Sequence, residues 1–326
     1  MYQFVNRLQC QFGDLKKISQ MNILTFLEQF PTEASCKSHF KTMRESQGVY
    51  CKRCNRDTKQ YWLQGKWQWQ CSKCSFRTTL RSGTIMEHSK MSFKKWYGVM
   101  AFMSCTKKGF SAMEIQRQLG HKRYNTIWKM IHKVRKSMGQ RDDRYILKDM
   151  VEFDEGYFTT ALPDGAVLKR GKGSQRKCNV AVMAESTPLE DIDTGRKSTA
   201  LRYIRMKVMK SHGAEEVNSI ITNNIDEKTI IFSDKSKSYI DIAKFVEGHI
   251  MEKSSDGIPL GAMKWVHTAI SNAKKVFLGL HHHMKGMYLQ NYLDEFCFKL
   301  NRRYFGEKLF DRVTIAFATS YWYTGD

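Results

Sequence analysis

The sequence has no hydrophobic run long enough to cross a membrane. No apolar segment approaches the roughly 18 residues that a transmembrane helix needs. The first residues, MYQFVNRLQCQFGDLKK, also lack the apolar core of a secretory signal peptide. These two absences favour a cytoplasmic protein over a membrane-spanning or secreted one. In that reducing compartment the nine cysteines are not expected to form disulfides.

Negative charge is also scarce, because 32 Asp and Glu residues stand against 54 Lys and Arg residues, a net charge of +22. Such an excess repels itself in a compact fold, so it predicts a polyanionic partner. Nucleic acid is the first candidate, since no long basic amphipathic helix points to an anionic membrane surface. A basic soluble protein without such a partner is the alternative.

Four of the cysteines form two Cys-x2-Cys pairs, which are separated by sixteen residues. Two such turns can converge tetrahedrally on Zn²⁺. The alternating residues between the pairs are typical of short strands around a Gly turn. The pattern predicts a zinc ribbon over residues 51–80, and the alternative is a cluster of buried cysteines without metal. The predicted zinc ligands are Cys51, Cys54, Cys71 and Cys74.

Helical patterns surround this module. Residues 21–50 are expected to form an N-terminal helix, whereas residues 1–20 are expected to be a loose arm or a start-site artefact, because Met21 is a better start. Residues 90–140 are predicted to form a helix-turn-helix-like DNA-binding region, with a break at Gly120. A plain helical hairpin with a solvated basic face is the alternative. The predicted DNA contacts of this region are Lys129 and Lys133.

The remaining residues alternate in the order strand, strand, strand, helix, strand, helix, in which SYIDIAKFVEGH is the second helix. This order predicts the α/β class, α+β for the whole chain, with an RNase H-like mixed sheet flanked by helices. Asp154 lies on the first strand and Asp234 ends the fourth, and these strands are neighbours in such a sheet. Two facing carboxylates repel unless a cation lies between them, and oxygen ligands favour Mg²⁺ or Mn²⁺.

With these features the chain resembles insertion-sequence transposases of the ISXO type. The resemblance implies a zinc ribbon, followed by an RNase H-like catalytic domain of the DDE superfamily over residues 150–318. It covers nearly the whole chain, from Met21 to Phe317. The motifs that carry it are FLEQFPTEASC, the paired CxxC, VEFDEGYF, SDKSKSY, HTAISNAKK and YLDEFCFKLNRR.

One branch of that family replaces the third acid with Asn, followed by a Lys. The match places Asn272 at the third position, with 37 residues between it and Asp234 and with Lys274 behind it. The resemblance therefore implies an Asp-Asp-Asn enzyme that binds two Mg²⁺ or Mn²⁺ ions through Asp154, Asp234 and Asn272. Glu295 is a rival third ligand, and a site without a third protein ligand is the other alternative.

Three further expectations concern side chains near this site. His267 lies five residues before Asn272, so on a continuous helix it is expected to face a different side, away from the site. A Gly-rich basic loop suits phosphates, and the Arg-rich end of the family motif is expected to contact DNA. The residues predicted for these contacts are Arg170, Lys172, Arg302 and Arg303.

The resemblance implies a DNA transposase that cuts at the ends of its element and joins the 3′-OH to target DNA. Its expected partners are the inverted repeats, the target DNA and further copies of the chain in a homodimer or higher synaptic complex, without a membrane. The expected location is a prokaryotic cytoplasm, at the nucleoid. The alternatives are a non-catalytic zinc-ribbon DNA-binding regulator or inactive transposase descendant, and a metal-dependent nuclease without strand transfer.

Overall fold

The computed structural model describes residues 21–162, 165, 176–190, 195, 197–252, 263–281 and 283–321. The arm over residues 1–20 and the DNA contacts expected at Arg170 and Lys172 lie outside this part of the chain. Internal contacts define two compact units. The first contains residues up to 80, 90–109 and 302–315, and the second contains residues 81–89, 110–301 and 316 onward. The domain limits expected from the sequence stay predictions. No helix in the described ranges is long and apolar enough to cross a membrane.

The first unit begins with helices that pack around aromatic rings. Thr32 and Ser35 form a reciprocal capping box that begins the second helix. The rings of Phe30, Tyr97 and Phe310 meet at centroid distances of 5.1 to 5.6 Å. The N-terminal segment contains two helices, which are separated by residues 30–32. The helices are α1 (Ile23–Gln29), α2 (Glu33–Ser46) and α3 (Phe93–Ser104).

The ribbon of the first unit is a hairpin followed by an antiparallel three-stranded sheet. Trp69 is its buried centre, and the Trp69 indole N–H donates to the Glu45 carboxylate at 2.9 Å. The Arg44 guanidinium lies over the Trp69 ring at 5.1 Å. Helix α2 therefore covers the tryptophan face of the ribbon. The strands are β1 (Tyr50–Cys51), β2 (Arg56–Asp57), β3 (Gln60–Leu63), β4 (Gln68–Cys71) and β5 (Arg77–Thr79).

Two helices around Gly120 begin the second unit, as the sequence predicts. Ser111 caps the first by accepting a hydrogen bond from the Glu114 N–H at 3.1 Å. Gly120 has φ +55°, the left-handed conformation that ends a helix. The second helix runs to Asp142, because buried residues such as Met138 continue its apolar face. The helices are α4 (Ala112–Gln118) and α5 (Tyr124–Asp142).

The centre of the second unit is a five-stranded mixed sheet in the order β10-β9-β6-β7-β8. Strands β6, β7 and β8, which come first in the chain, form an antiparallel meander. Strand β9 runs parallel to β6, and β10 runs parallel to β9. The first and fourth strands are therefore neighbours, so the predicted RNase H-like sheet is confirmed. The strands are β6 (Met150–Thr159), β7 (Lys177–Glu190), β8 (Lys197–Met209), β9 (Ile230–Asp234) and β10 (Gly248–Glu252).

Apolar residues cover both faces of this sheet, because side chains alternate along each strand. Phe158 on β6 packs on one face with residues such as Val266 and Phe277. Phe153 faces the opposite side, in a cluster that contains Val217 and Tyr239. The helices that follow the meander are α6 (Ala214–Asn224), α7 (Lys264–Leu280), α8 (Leu289–Asn301) and α9 (Lys308–Ala318).

The prediction that SYIDIAKFVEGH forms a helix is wrong. Two short 3-10 turns, Lys237–Tyr239 and Ile242–Lys244, come first, and Gly248–Glu252 is strand β10. The spacing that suggested a helix instead buries Tyr239 and Ile242 through these turns, against the sheet. The chain then extends and pairs with β9 in a parallel ladder, so tertiary pairing overrides the local pattern.

Candidate zinc and active sites

The four predicted zinc ligands lie together in the ribbon. The Cys51 and Cys74 sulfurs are 3.6 Å apart, those of Cys54 and Cys71 are 3.8 Å apart, and all four lie within 4.8 Å of one another. Zinc–sulfur bonds of about 2.3 Å in a tetrahedron place sulfurs about 3.8 Å apart, whereas a disulfide needs about 2 Å. The cluster therefore has the dimensions of a four-cysteine zinc site, and it could bind Zn²⁺.

The surroundings of these thiols also fit a metal. The Thr58 hydroxyl lies 3.1 Å from the Cys71 sulfur, and chiefly this hydrogen bond lowers the pKa of Cys71 to about 6. Crowding has the opposite effect on Cys54, whose pKa rises to about 12, first of all through its hydrogen bond with Cys74. One thiol ionises readily while its neighbour resists a second negative charge. A dication at the centre of the cluster would stabilise the thiolates and so remove this repulsion.

The two predicted catalytic aspartates lie at the same level of neighbouring strands. Strands β6 and β9 are parallel and in register from Met150 and Ile230 to Phe153 and Ser233. Asp154 and Asp234 are the next residue on each strand. Residues 80 positions apart in the chain are therefore adjacent, because the topology of the sheet brings the first and fourth strands together.

Asp154 has a partner that the sequence analysis placed elsewhere. Its Oδ1 accepts from the Glu155 N–H at 2.7 Å, and its Oδ2 lies 3.2 Å from His267 Nε2. His267 stands in the first turn of α7, which begins at Lys264. The expectation that a helix starting before His267 would turn this residue away from the site is therefore wrong. The packing of α7 on β6 determines where the His267 side chain points, and the spacing between His267 and Asn272 contains no information on that packing.

The two aspartates favour a cation electrostatically. Burial raises the pKa of Asp154, and the nearby charge of Asp234 adds to the rise. Loss of surrounding water also raises the pKa of Asp234, although this side chain still reaches solvent, and the charge of Glu155 adds to it. Carboxylates that crowd one another fit a hard divalent ion such as Mg²⁺ or Mn²⁺. No third acid, histidine or cysteine completes the pair at this distance, since among such side chains in the described ranges only the four cysteines bring three ligand atoms within 4.8 Å of one another.

Part of this unit is similar in sequence to a known family. Residues 146–301, just under half of the chain, match the family model of the ISXO2-like transposase domain. The match runs from before β6 to the end of α8. It therefore contains both aspartates and the whole of α7.

Solved structures of Mos1 transposase assemblies are also similar to the chain, at a low level. A pre-cleavage Mos1 transpososome shares 9% identity over 65% of this chain and 75% of that chain, with a TM-score of 0.27. A Mos1 mariner paired end complex with Mn shares 12% identity over 65% and 75%, with a TM-score of 0.29. Likeness at this level carries no argument about the site. Among curated proteins, none matches the chain.

Helix α7 carries the other two predicted site residues. Lys274 follows His267 by seven residues, which is about two turns at 3.6 residues per turn, so both lie on one face. The Lys274 ammonium lies 5.8 Å from the centroid of the Phe158 ring on β6. Asn272 is exposed and follows His267 by five residues, roughly 140° around the helix from that face. Asn272 as the third ligand stays a prediction.

The rival third ligand, Glu295, has a different role in the structure. Its Oε2 lies 2.8 Å from Arg135 Nε, and both side chains are buried. The Arg135 guanidinium also covers the Tyr292 ring at 3.9 Å. Glu295 therefore joins α8 to α5, which removes it as an alternative metal ligand.

The four described DNA contacts expected from the sequence have varied surroundings. Lys129 is exposed on α5, whereas Lys133 is half-buried and lies 3.5 Å from the Ile85 carbonyl. Arg302 and Arg303 follow α8 and are half-buried, and the Arg303 guanidinium lies 4.4 Å from the Tyr304 ring centroid. Contact of these residues with DNA stays a prediction.

Sequence reasoning also missed two acids of the VEFDEGYF motif. Glu155 is on the opposite face of β6 from Asp154, where its carboxylate accepts from the Tyr239 hydroxyl at 3.2 Å and lies 3.1 Å from His212 Nδ1. Glu152 is buried and contacts the start of α7. The signal was available, since three acids in four residues of a strand are more than a buried strand normally holds.

Proposed function

We propose that the protein is a DNA transposase that cuts at the ends of its element and joins the resulting 3′-OH to target DNA. The observation that carries the proposal is the pairing of Asp154 and Asp234 at one level of two parallel strands, inside an ISXO2-like transposase domain. The net charge of +22 supports DNA as the substrate.

Asp154 and Asp234 would hold two Mg²⁺ or Mn²⁺ ions, with Asn272 as the third ligand. Ions of this kind stabilise the attacking and leaving oxygens of an in-line phosphoryl displacement. The two carboxylates fix where the scissile phosphate lies, because each is carried by the rigid central sheet. Lys274 shares the face of α7 that carries His267, so its positive charge is suited to a phosphate of the bound strand.

The second part of the proposal is DNA recognition. The ribbon with its zinc, together with α4 and α5, would recognise the inverted repeats, and the basic side chains would neutralise phosphates. Two ends must be joined, so we expect a dimer or larger synaptic assembly. The residues proposed to contact phosphates are Lys129, Lys133, Arg170, Lys172, Arg302 and Arg303.

A strand-transfer assay tests the proposal. Purified protein is mixed with a labelled end of its own element, a target plasmid and Mg²⁺ or Mn²⁺. Asp154→Ala and Asp234→Ala are compared with Asp241→Ala, which removes a surface acid that pairs with Lys244 on a 3-10 turn. Joined product from the wild type and from Asp241→Ala, and from neither site variant, is the expected result.

Two other outcomes identify the alternative functions. DNA binding that is equal in all four proteins, with neither cleavage nor joining, would contradict the enzyme and favour a regulator or an inactive descendant. Metal-dependent cleavage without joined product would instead favour a nuclease. Metal dependence thus separates the enzyme from the regulator, and the joined product separates the transposase from the nuclease.

A further inference from the structure

Glu152 is a buried acid that contacts backbone rather than a cationic side chain. It is 5% exposed, on the strand β6 that carries Asp154. Its Oε2 accepts from the Trp265 N–H at 2.7 Å and from the Val266 N–H at 2.9 Å. These two N–H groups belong to the first turn of α7. A strand residue therefore caps a helix that begins 112 positions later in the chain.

Helix α7 needs such a cap. The first N–H groups of a helix have no acceptor within the helix, and a negative charge is favourable at this end. The residue before α7, Met263, has φ +64° and makes no side-chain capping hydrogen bond. Glu152 supplies the missing acceptor from the sheet. The Trp265 indole N–H adds a second attachment, to the Thr199 hydroxyl on β8 at 2.9 Å.

This attachment lies directly beside the candidate active site. Glu152 and Asp154 are two residues apart on β6, so both project from the same face of the sheet. On α7, His267 follows Val266, whose N–H bonds to Glu152. The His267 ring reaches Asp154 at 3.2 Å although its side chain is 63% exposed. Burial does not force that contact, so the position of the first turn of α7 sets it.

We propose that Glu152 and His267 are positioning residues of the Asp154–Asp234 site. Glu152 fixes the first turn of α7, and this turn holds His267 against Asp154 Oδ2. The Glu155 N–H holds the other oxygen. The carboxylate is thereby oriented for a divalent ion, as hydrogen-bonded partners of metal ligands orient them elsewhere. This inference rests on the metal site of the proposed function, and it concerns how that site is built.

A purely structural role explains the observations less well. Val266 and Ala269 are buried against the sheet and already dock α7 by apolar packing. A buried carboxyl costs free energy that another apolar side chain at position 152 would not. The two N–H hydrogen bonds offset this cost, and unlike apolar packing they also fix the rotation and height of α7 that place His267.

The test measures Mn²⁺ binding to the full-length, zinc-loaded protein in the absence of DNA. The electron paramagnetic resonance signal of free Mn²⁺ reports how much of the ion remains unbound. Asp154→Ala defines the binding that depends on the site. His267→Ala and Glu152→Ala are expected to weaken that binding about 10- to 100-fold, the usual effect of losing an outer partner of a metal ligand. Thr268→Ala, an exposed neighbour on the same helix, serves as the matched control and is expected to bind as the wild type does.

Conservative variants separate positioning from folding. His267→Gln keeps an N–H donor and is expected to restore most of the affinity. Glu152→Gln keeps an oxygen acceptor without the charge, so it tests the cap even if Glu152→Ala fails to fold. Glu152 acts through His267 in this account, so Glu152→Gln should cause little further loss in a protein that already carries His267→Ala.

The inference is overturned if the wild type binds Mn²⁺ and His267→Ala binds it equally well. It is also overturned if Glu152→Gln weakens Mn²⁺ binding and this loss adds in full to the loss from His267→Ala. Absence of any site-dependent Mn²⁺ binding in the wild type would overturn it together with the metal site. Failure of strand transfer by a protein with the expected Mn²⁺ results would contradict only the proposed function.

Discussion

The cysteine cluster and the Asp154–Asp234 pair are two sites that fit metals but differ in how they are assembled. The cysteines come from two tight turns within residues 51–74, and local strand pairing brings four ligand atoms to zinc distances. The aspartates come from β6 and β9, and their surroundings include α7. The first site depends on short-range geometry, whereas the second depends on the register of a sheet and on how a distant helix docks.

The two sites also differ in the charge that they carry without metal. A free thiol is mostly neutral near pH 7, and the lowered pKa of Cys71, about 6, adds one negative charge, so a metal-free cysteine cluster is weakly repulsive. Carboxylates are ionised at that pH, and the crowding of Asp154, Asp234 and Glu155 opposes folding. Loss of a ligand should therefore destabilise the ribbon but relieve repulsion in the sheet.

The largest expected effect is the loss of zinc. Cys71→Ser removes one of four thiolates, and structural zinc contributes roughly 10–16 kcal/mol of apparent binding free energy in small zinc modules. We expect the variant to lose its zinc and residues 50–79 to lose protection in hydrogen exchange. Strands β6 and β7 should keep their protection, because their ladder does not involve the metal.

The matched control is Cys105→Ser, which changes a half-buried cysteine outside the cluster. It should keep a full equivalent of zinc and the protection of residues 50–79. Retention of zinc and protection by Cys71→Ser would contradict the ribbon site. Equal loss of protection in β6 would show that the two sites are not independent.

The next effect tests whether metal alone holds the ribbon. Trp69 is buried, and it contacts Trp62 as well as Arg44 and Glu45 of α2. Trp69→Ala should lower the free energy of unfolding by about 3–5 kcal/mol in denaturant with zinc in excess. The half-buried Trp67 provides the comparison, and Trp67→Ala should cost about 1 kcal/mol. Equal, small losses from both variants would mean that the metal dominates.

The contrast between short-range and long-range assembly also explains what the sequence predicts well. The cysteine spacing predicted a cluster that the structure confirms, because two turns and a hairpin lie in one local segment. Strands β6 to β9 and helix α6 were also predicted, since apolar runs and helical spacing are local signals. To predict that Asp154 and Asp234 are adjacent, the order of the strands in the sheet was also required. That order was inferred from the RNase H-like fold expected for the alternation of strands and helices in the sequence.

The errors concern residues whose positions depend on distant elements. The direction of His267 was inferred from its angle to Asn272 on one helix, but the docking of α7 on β6 decides it. Glu152 looked like an ordinary strand residue, because its N–H partners on α7 are 113 and 114 positions away. The segment that became β10 was mistaken for a helix, since Tyr239 and Ile242 are buried with a spacing that 3-10 turns also allow.

A buried acid away from the site provides a reference for the carboxylates. Burial raises the pKa of Asp294 on α8 to about 7, and its carboxylate accepts from Gln290 at 2.8 Å. The native carboxyl stays protonated to about pH 7 while the unfolded one ionises near 3.8, so unfolding releases a proton between these values. Stability from this group therefore falls as pH rises from about 4 to 7. The charged groups that face it are Asp142, Asp143 and Lys207.

Asp294→Asn removes that titration. A shift of three pKa units corresponds to about 4 kcal/mol, but Asp294 keeps some accessible surface, so we expect a gain on the order of 2 kcal/mol at pH 7.5. Urea unfolding at pH 4 and pH 7.5 checks this, since the gain should appear only at the higher pH. A variant that is less stable than the wild type at both values would contradict a raised pKa.

The smallest effect decides whether the aspartate pair is held together against repulsion. Asp234→Asn removes one charge near Asp154 and Glu155, so it should stabilise the protein when Mg²⁺ and Mn²⁺ are absent. Asp234 is exposed and solvent screens it, so the gain should be at most about 1 kcal/mol in urea unfolding. Added Mn²⁺ should then stabilise the wild type and not the variant, because only an ion that binds the native state raises stability. If Asp234→Asn instead lowers the stability of the metal-free protein, Asp234 is a structural acid. The contrast with the cysteine cluster would then disappear, because replacement of a ligand would destabilise the protein at both sites.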